Sequence, residues 1–316
     1  MALYVAGRLT PTNVAIVDAF RRLDLPIALA PLDQVVRRAR PGDTVLPRLD
    51  VAPTLDGVEP GLDDLAELAG RGVHLVNGPG AILAAHDKLM TALKLGRSGV
   101  AHPRTVHLDA PPAHLPIEPP LVVKPRFGSW GQDVVRCESE VELAAALDDL
   151  ESRSWFQRQG ALVQELVPPC GHDLRVLVVG GHVVGAVRRV AAPGEWRTNI
   201  ALGGHREPAT PPAAARELAV RAASAIGGGF VGVDLLPTAD GFTVVEVNGC
   251  VDFTSDYSLG GDVHAEVAAR LHGMAQEHAA AVAEAARERG GRRPGAVASL
   301  GARPPADAGL TAPLVP

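Results

Sequence analysis

The sequence predicts a mixed fold, an α/β unit at the N-terminus followed by α+β structure in two lobes. Three observations carry that expectation. Short apolar runs alternate with helical patterns over residues 1–79, the pattern of a small parallel sheet. An isolated apolar strand at 121–125 runs into a glycine loop and then an amphipathic stretch. Paired β runs then fill residues 160–250, joined by the turn-forming dipeptides Gly180-Gly181 and Asp240-Gly241. The 316 residues and 32.8 kDa suffice for two or three layered units.

In chain order, Leu3–Ala6 reads as a strand and Thr12–Leu23 as a helix, with Pro11 near its start, where a missing N–H costs nothing. Pro26–Ala30 is a second strand, followed by a helix over Leu32–Arg40 that Pro41-Gly42 closes. Val45–Leu49 and Val73–Val76 are further strands around a helix at Leu62–Ala69, and Asn77-Gly78-Pro79-Gly80 is a polar break. A second unit begins near His86. It has a helix at Lys88–Arg97, a break at Gly99–Pro103, a proline-rich stretch from Pro111 to Pro120 and the strand Leu121–Pro125. The loop Gly128-Ser129-Trp130-Gly131, a return strand at Asp133–Cys137 and a helix at Val141–Leu150 complete it. The third unit carries strands at Ala161–Leu166, Leu174–Val179 and His182–Val190, a helix at Ala213–Ile226, and strands at Phe230–Leu236 and Phe242–Asn248. A last helix covers Val263–Arg289, with Val263, Val267, Leu271 and Met274 on one face. From Gly290 the chain is rich in Pro, Gly and Ala without periodicity and is expected to be a disordered tail.

Composition narrows the function classes. A formal charge of −6 disfavours a nucleic-acid partner held by a basic face. Cys137, Cys170 and Cys250 lack the spacing of a zinc site and are odd in number, so three reduced thiols are expected. The first residues form an apolar run without a basic leader, and no 18-residue window is continuously apolar. A cytoplasmic protein without a membrane partner is the expectation. Of thirty basic residues only Lys88, Lys94 and Lys124 are lysines. A lysine retained in so arginine-rich a chain suggests use as a compact point charge.

Three features could carry chemistry. In Val244–Asn248 side chains alternate, so Glu246 and Asn248 share a face, and the turn at Asp240-Gly241 brings Asp234 opposite Glu246. Two carboxylates that close need a cation between them, and hard oxygen donors select Mg²⁺ or Mn²⁺. Both flanks are strongly apolar, which weighs against an ordinary solvated hairpin face. Lys124 ends an apolar strand, and backbone N–H groups of Ser129, Trp130 and Gly131 could approach phosphate oxygens, although a plain turn explains such a loop as well. Arg175, Arg188, Arg189 and Arg197 could clamp a carboxylate or phosphoryl group. Arg188 and Arg189 are adjacent, so only one can face the site, and Arg188 is assigned to the nucleotide.

Taken in order, these pieces resemble the ATP-grasp enzymes, specifically RimK/LysX-type carboxylate–amine ligases, over roughly residues 1–275. His86-Asp87-Lys88, Val123-Lys124-Pro125, Gly128-Ser129-Trp130-Gly131 and Gln164-Glu165-Leu166-Val167 come in the family order. So do Gly171-His172-Asp173-Leu174-Arg175, Glu195-Trp196-Arg197-Thr198-Asn199 and the set Asp234, Glu246, Asn248. The resemblance implies an ATP-grasp fold with an N-terminal pre-ATP-grasp domain at 1–85, a small central lobe at 86–160, a C-terminal lobe at 161–289 and the tail at 290–316. It implies that Lys88 and Lys124 contact ATP phosphates, that Gln164, Glu165, Leu166 and Val167 hold adenine, and that Asp173 lies near the ribose. Asp234, Glu246 and Asn248 would hold two magnesium ions, and Arg197 and Asn199 would face the acyl phosphate or a substrate carboxylate.

The implied reaction joins a glutamate-like amino acid to a small molecule, peptide or carrier protein through an acyl phosphate, in a homodimer or tetramer. Gly128-Ser129-Trp130-Gly131 and Gly227-Gly228-Gly229 resemble the LysX branch, Glu195–Asn199 the RimK branch, and Gly249–Thr254 departs from both. A nucleotide-binding regulator without catalysis is the alternative. Competent residue types at every phosphate and metal position weigh against it.

Overall fold

The computed structural model describes residues 1–109 and 115–291. Its first sheet is parallel, with β1 (Leu3–Ala6), β2 (Ala28–Ala30), β3 (Thr44–Pro47) and β4 (His74–Leu75) in the order β2-β1-β3-β4. The crossovers are α1 (Pro11–Arg22), α2 (Leu32–Arg38) and α3 (Leu62–Gly70). Thr10 caps α1 by accepting the Asn13 N–H, and Pro11 fills the first position, where the sequence places it. Chain order reverses direction between β1 and β3, which makes the carboxyl ends of those two strands a crevice.

The expected polar break after β4 instead opens a helix, α4 (Pro79–His86). Pro79 suits a first turn, and a single residue, Asp87, separates α4 from α5 (Lys88–Arg97). Asn77 fixes this joint to the third unit. Its amide donates to the Phe230 carbonyl at 2.7 Å, and its carbonyl accepts from the N–H groups of Gly229 at 2.7 Å and Phe230 at 2.9 Å.

The second sheet contains β5 (Thr105–Leu108), β6 (Leu121–Pro125), β7 (Val135–Cys137) and β8 (Ala161–Glu165), antiparallel in the order β5-β8-β6-β7. One face packs on α6 (Glu140–Glu151) and α7 (Ser154–Gln159), with Leu121, Val123, Leu143, Leu147, Trp155 and Val163 buried together. The short β5 and α7 carry no periodic signal, and the sequence does not announce them.

The third sheet runs β11-β10-β9-β12-β13, with β9 (His172–Val179), β10 (His182–Val190), β11 (His205–Pro208), β12 (Phe230–Thr238) and β13 (Gly241–Asn248), all antiparallel. Gly180 and Gly181 both have positive φ, as the two-residue β9–β10 turn requires. One face, with Val176, Val231, Val233, Val244 and Val247, is covered by α8 (Ala213–Ile226). Val244 and Val247 are three residues apart yet share that face, because a β-bulge at Val245 shifts the register beside Asp234.

The other face is divided. Leu177, Val179, Val187 and Phe230 pack under α9 (Val263–Gly291), which also meets α1. Val263, Val267 and Leu271 are fully buried there, each worth roughly 1.5–3 kcal/mol in removed apolar surface. The remainder of that face carries Asp173, Arg175, Arg189 and Asp234, and it forms one wall of the cleft described next. The expected tail beyond 291 lies outside the described residues. Among the described residues no helix is long and apolar enough to cross a membrane.

Candidate active site

Strand alternation builds the cleft. On β6, Leu121 and Val123 enter the core, so Val122 and Lys124 face the opposite way, into the space between the second and third sheets. On β8 the same alternation sends Gln164 into that space. Lys124 is buried, and its Nζ donates to Gln164 Oε1 at 2.7 Å while Gln164 Nε2 donates to Thr105 at 2.8 Å. Burial lowers the Lys124 pKa to about 8, helped by the neighbouring Lys88 and opposed by Glu246.

Lys88 is delivered by a helix start. Asp87 caps α5 by accepting the Leu89 and Met90 N–H groups, and it receives both arms of Arg126 at 2.8 and 2.6 Å. The Lys88 N–H donates to the Arg126 carbonyl, which ties α5 to the end of β6. Lys88 Nζ then reaches the Gly128 carbonyl at 2.5 Å and Glu246 Oε1 at 2.9 Å. The sequence marks Lys88 and misses Arg126, whose role depends on a partner 39 residues away.

The loop after β6 folds over the cleft. Trp130 and Gly131 have φ of 61° and 75°, and Trp130 is 57% exposed. A Cβ on Gly131 would lie 2.8 Å from Asn199 Oδ1, so a side chain there is excluded by both space and backbone. Arg197, expected to face the substrate, is engaged otherwise. Its Nε and Nη2 donate to Glu195, and its Nη1 donates to the Gly131 and Val134 carbonyls at 3.1 and 3.3 Å. The side-chain and backbone hydrogen bonds from Arg197 hold the Glu195 carboxyl down at about 2. Arg197 thus latches the loop, while Asn199 lines the cleft beneath it.

Asp234 and Glu246 are register partners on β12 and β13, and both line the cavity that Lys124 lines. Asn248 shares their face opposite Gly232. Asp234 receives Arg175 Nε and Nη2, both at 2.7 Å, and Arg189 Nη2 at 2.8 Å. Burial opposes its ionisation, yet those two guanidiniums hold its carboxyl below the usual range. Arg189 also pairs with Asp173, which accepts the Thr198 hydroxyl at 2.6 Å. Asp173, expected near the ribose, is therefore buried and orients Arg189. Arg188 is corrected outright: it points to the opposite face and pairs with Glu207, while Arg189 faces the cleft. Alternation along β10 permits only one of two neighbours there.

Gln164, Glu165, Leu166 and Val167 line one end of the same cavity, with Ser129, Trp130 and Gly131 across from them. Glu165 is half-buried and pairs with Arg104 at 3.3 Å. Past Glu246 the cleft continues into a chamber of about 70 Å³ carrying Arg175, Arg189, Arg206, Asn199 and Asn248. Arg206 Nε and the Tyr257 hydroxyl are buried nearby without partners.

The donor set can be tested against a nucleotide and its metal. Lys88, Lys124, Arg175 and Arg189 set four cations against the carboxylates of Asp173, Asp234 and Glu246. That balance leaves one net positive charge to draw an anion, and Asp234, Glu246 and Asn248, the first two now held by Arg175, Arg189 and Lys88, offer the hard oxygen ligands that magnesium takes. Magnesium commonly combines one or two carboxylates with substrate phosphates, so the arrangement fits a metal that arrives on a phosphate chain. Among the described residues no cluster of three His, Cys, Asp or Glu forms an all-protein cation cage.

Comparison with known proteins agrees with this chemistry. A model of the RimK-like ATP-grasp domain matches residues 86–271. The tetrahydromethanopterin:alpha-L-glutamate ligase of Methanosarcina acetivorans is 30% identical over 234 residues, 66% of this chain and 72% of that protein. The glutamate–LysW ligase ArgX of Sulfurisphaera tokodaii is 32% identical over 193 residues, 60% of this chain and 68% of the relative. The solved ATP-grasp ligase PsnB, in complex with a minimal precursor, Mg and ADP, superposes with a TM-score of 0.62 at 16% identity. That superposition covers 87% of this chain and 98% of PsnB, a likeness of fold.

Proposed function

Because the chain belongs to the RimK-like ATP-grasp family and is an ATP-dependent, amide-forming ligase, we propose that it joins a glutamate-like amino acid to a carboxylate borne by a small molecule, peptide or carrier protein. The observation that carries the assignment to this cleft is the convergence of Lys88, Lys124, Asp234 and Glu246 on one cavity. They come from a helix start, a strand of the second sheet and two strands of the third.

In this reading adenine lies against Gln164, Glu165, Leu166 and Val167, and the phosphate chain extends towards Lys124, Lys88 and the N–H groups of Ser129, Trp130 and Gly131. Asp234, Glu246 and Asn248 would hold magnesium, two ions in the full complex, which neutralises phosphate charge when bound. The residues 86–160 and 161–289 act as two jaws on the nucleotide, and 1–85 borders the substrates. The acid's carboxylate oxygen attacks the γ-phosphorus, the bond to the β-phosphate oxygen breaks, and ADP leaves. The amine nitrogen then attacks the acyl carbon; the C–N bond forms, the C–O bond to phosphorus breaks, and orthophosphate leaves as nitrogen loses a proton. The chain's own contribution is positioning and charge. Lys124 and Lys88 offset the growing negative charge, and Arg175, Arg189 and Arg206 receive the acid. Arg197 keeps the 128–131 loop down, which protects the acyl phosphate from water.

The names of the relatives support glutamate as the amino acid, and the LysW partner of one and the precursor of PsnB support a carrier or peptide as the other substrate. The test is mass spectrometry of products from a mixed panel of acids and amino acids with ATP and magnesium. Amide products with stoichiometric ADP are expected. ATP binding without ADP release across the panel would favour a silent nucleotide-binding protein.

A further inference from the structure

The arginine chamber is not the end of the cleft. It shares Asp50, Ser129, Trp130, Cys250 and Asp252 with a further cavity of about 450 Å³. Arg8, Thr10 and Asn13 enter that cavity from the segment after β1, and Arg48 and Asp50 from the segment after β3. It therefore occupies the crevice at the carboxyl ends of β1 and β3, where chain order reverses, which is where open parallel sheets take their ligands. Its size is that of a small-molecule pocket.

The lining has two characters. Arg48 is 6% exposed; its Nε donates to Asn13 Oδ1 at 2.8 Å and its Nη2 to the Val251 carbonyl at 2.8 Å, with Asp252 Oδ1 3.5 Å from Nη2, while Nη1 has no hydrogen-bond partner. A buried guanidinium nitrogen left unpaired is costly, and a carboxylate is the group that completes it. Thr10 and Asn13 form the first turn of α1, whose N-terminal end also favours negative charge. Arg8 adds a second cation, paired with Glu59. Asp50 and Asp252 line the side shared with the arginine chamber. The wall of Arg48, Arg8 and the start of α1 thus stands beside two carboxylates, with Asp252 3.5 Å from Arg48, an arrangement of both signs that suits a dipolar ligand.

We propose that this cavity binds the amine substrate as a dipolar amino acid, its carboxylate at Arg48 and the first turn of α1, its ammonium group at Asp50 and Asp252. The proposal rests on the reading of the adjoining cleft as the nucleotide site. It makes Arg48 a specificity-determining residue, selecting amines that carry a carboxylate, and gives the N-terminal sheet a substrate to hold. The amine is then presented to the arginine chamber, where the acyl carbon forms.

Calorimetric titration into protein saturated with magnesium and a non-hydrolysable ATP analogue tests it. Three probes are compared: L-glutamate, glutarate, which lacks the ammonium group, and glutamine amide, which lacks both carboxylates. L-Glutamate is expected to bind at least about tenfold more tightly than either, since each lacks a charge-assisted contact. Arg48→Gln weakens glutamate and glutarate by about 10- to 100-fold and leaves glutamine amide unchanged. Asp252→Asn narrows the gap between glutamate and glutarate. Binding of the ATP analogue stays the same in both variants. Equal glutamate affinity in Arg48→Gln and the unaltered protein overturns the proposal, as does the absence of glutamate binding when the analogue is bound. If Arg48→Gln fails to fold, Arg8→Gln on the exposed side of the same wall must weaken glutamate instead. If the unaltered protein does not bind the analogue, the nucleotide reading fails, and glutamate titrated alone still reads this cavity.

Discussion

Lys124→Met separates the cost of the phosphate site from its use. Lys124 is held, fully enclosed, from 10.5 down to about 8, so the nucleotide-free fold carries a charged group against its preference. At about 1.4 kcal/mol per tenfold change in proton affinity, that is about 3 kcal/mol at neutral pH. Methionine has nearly the same length and no charge. It also deprives Gln164 Oε1 of its 2.7 Å donor, a loss of about 1–2 kcal/mol for a buried acceptor. The variant is therefore expected to be more stable than the unaltered protein by about 1–2 kcal/mol at pH 7. The sign follows from proton binding. Below pH 8 the lysine is charged in both folded and unfolded chains and the penalty is complete. Between pH 8 and 10.5 the folded chain holds fewer protons, so the unaltered protein gains stability as pH rises while the variant does not. The advantage of methionine shrinks over that window and reverses once only the Gln164 loss remains. Urea midpoints followed by tryptophan fluorescence at pH 7 and pH 10, without nucleotide, read both values. Affinity for ATP, measured in parallel, falls by more than about tenfold. A variant less stable at pH 7, with a gap that does not move with pH, would refute the reasoning.

Glu246→Gln is expected to abolish ADP formation while leaving the melting transition in place, checked by coupled ADP assay and calorimetry; normal turnover would sink the metal assignment. Asp234→Asn leaves Arg175 and Arg189 facing a neutral amide, a loss of about 3–5 kcal/mol read as a lowered urea midpoint. Since those arginines depress the Asp234 pKa, its contribution is present above pH 4 and lost as the pH falls further, so the difference between the two proteins narrows in acid. Arg197→Ala releases the carbonyls of Gly131 and Val134, and ATP hydrolysis without amine should rise while amide yield drops about tenfold. Arg188→Gln, on the opposite face, should leave kcat/KM within about twofold, since exposed ion pairs contribute little.

The elements that carry the site were legible because their signals are local. Leu121–Pro125, His182–Val190 and Ala213–Ile226 are bounded by glycine, proline or a change of period, and the structure gives the same limits. The pairing of Asp234 with Glu246 was expected from a hairpin with a short turn, but the register that turn sets, Thr238 with Gly241 through Leu235 with Val244, would place Asp234 against Val245; the bulge at Val245 is what brings Glu246 opposite Asp234. Elements without such punctuation were not visible. β11 is a four-residue edge strand, α7 has six residues, and α4 sits under what reads as a polar break. Their existence depends on neighbours far along the chain.

Roles behaved differently from positions. Residue type marked Arg188, Arg197 and Asp173 as contacts for a ligand, but type does not say which partner a charge meets first. Glu207 takes Arg188, Glu195 and two loop carbonyls take Arg197, and Arg189 with Thr198 takes Asp173.

The sequence by itself determined the mixed architecture, the order of phosphate, loop and metal-type segments, and the shared face of Glu246 and Asn248, because alternation and turn chemistry act over a few residues; that Asp234 joins that face was decided by the bulge at Val245. Only the tertiary structure decided which arginine faces the cleft, what holds the flap, and that the crevice after β1 and β3 opens into the reaction chamber. Those outcomes depend on partners from 16 to 203 residues away, as Arg189 with Asp173 and Arg48 with Val251 show, and no local pattern encodes which of several competent charges will meet.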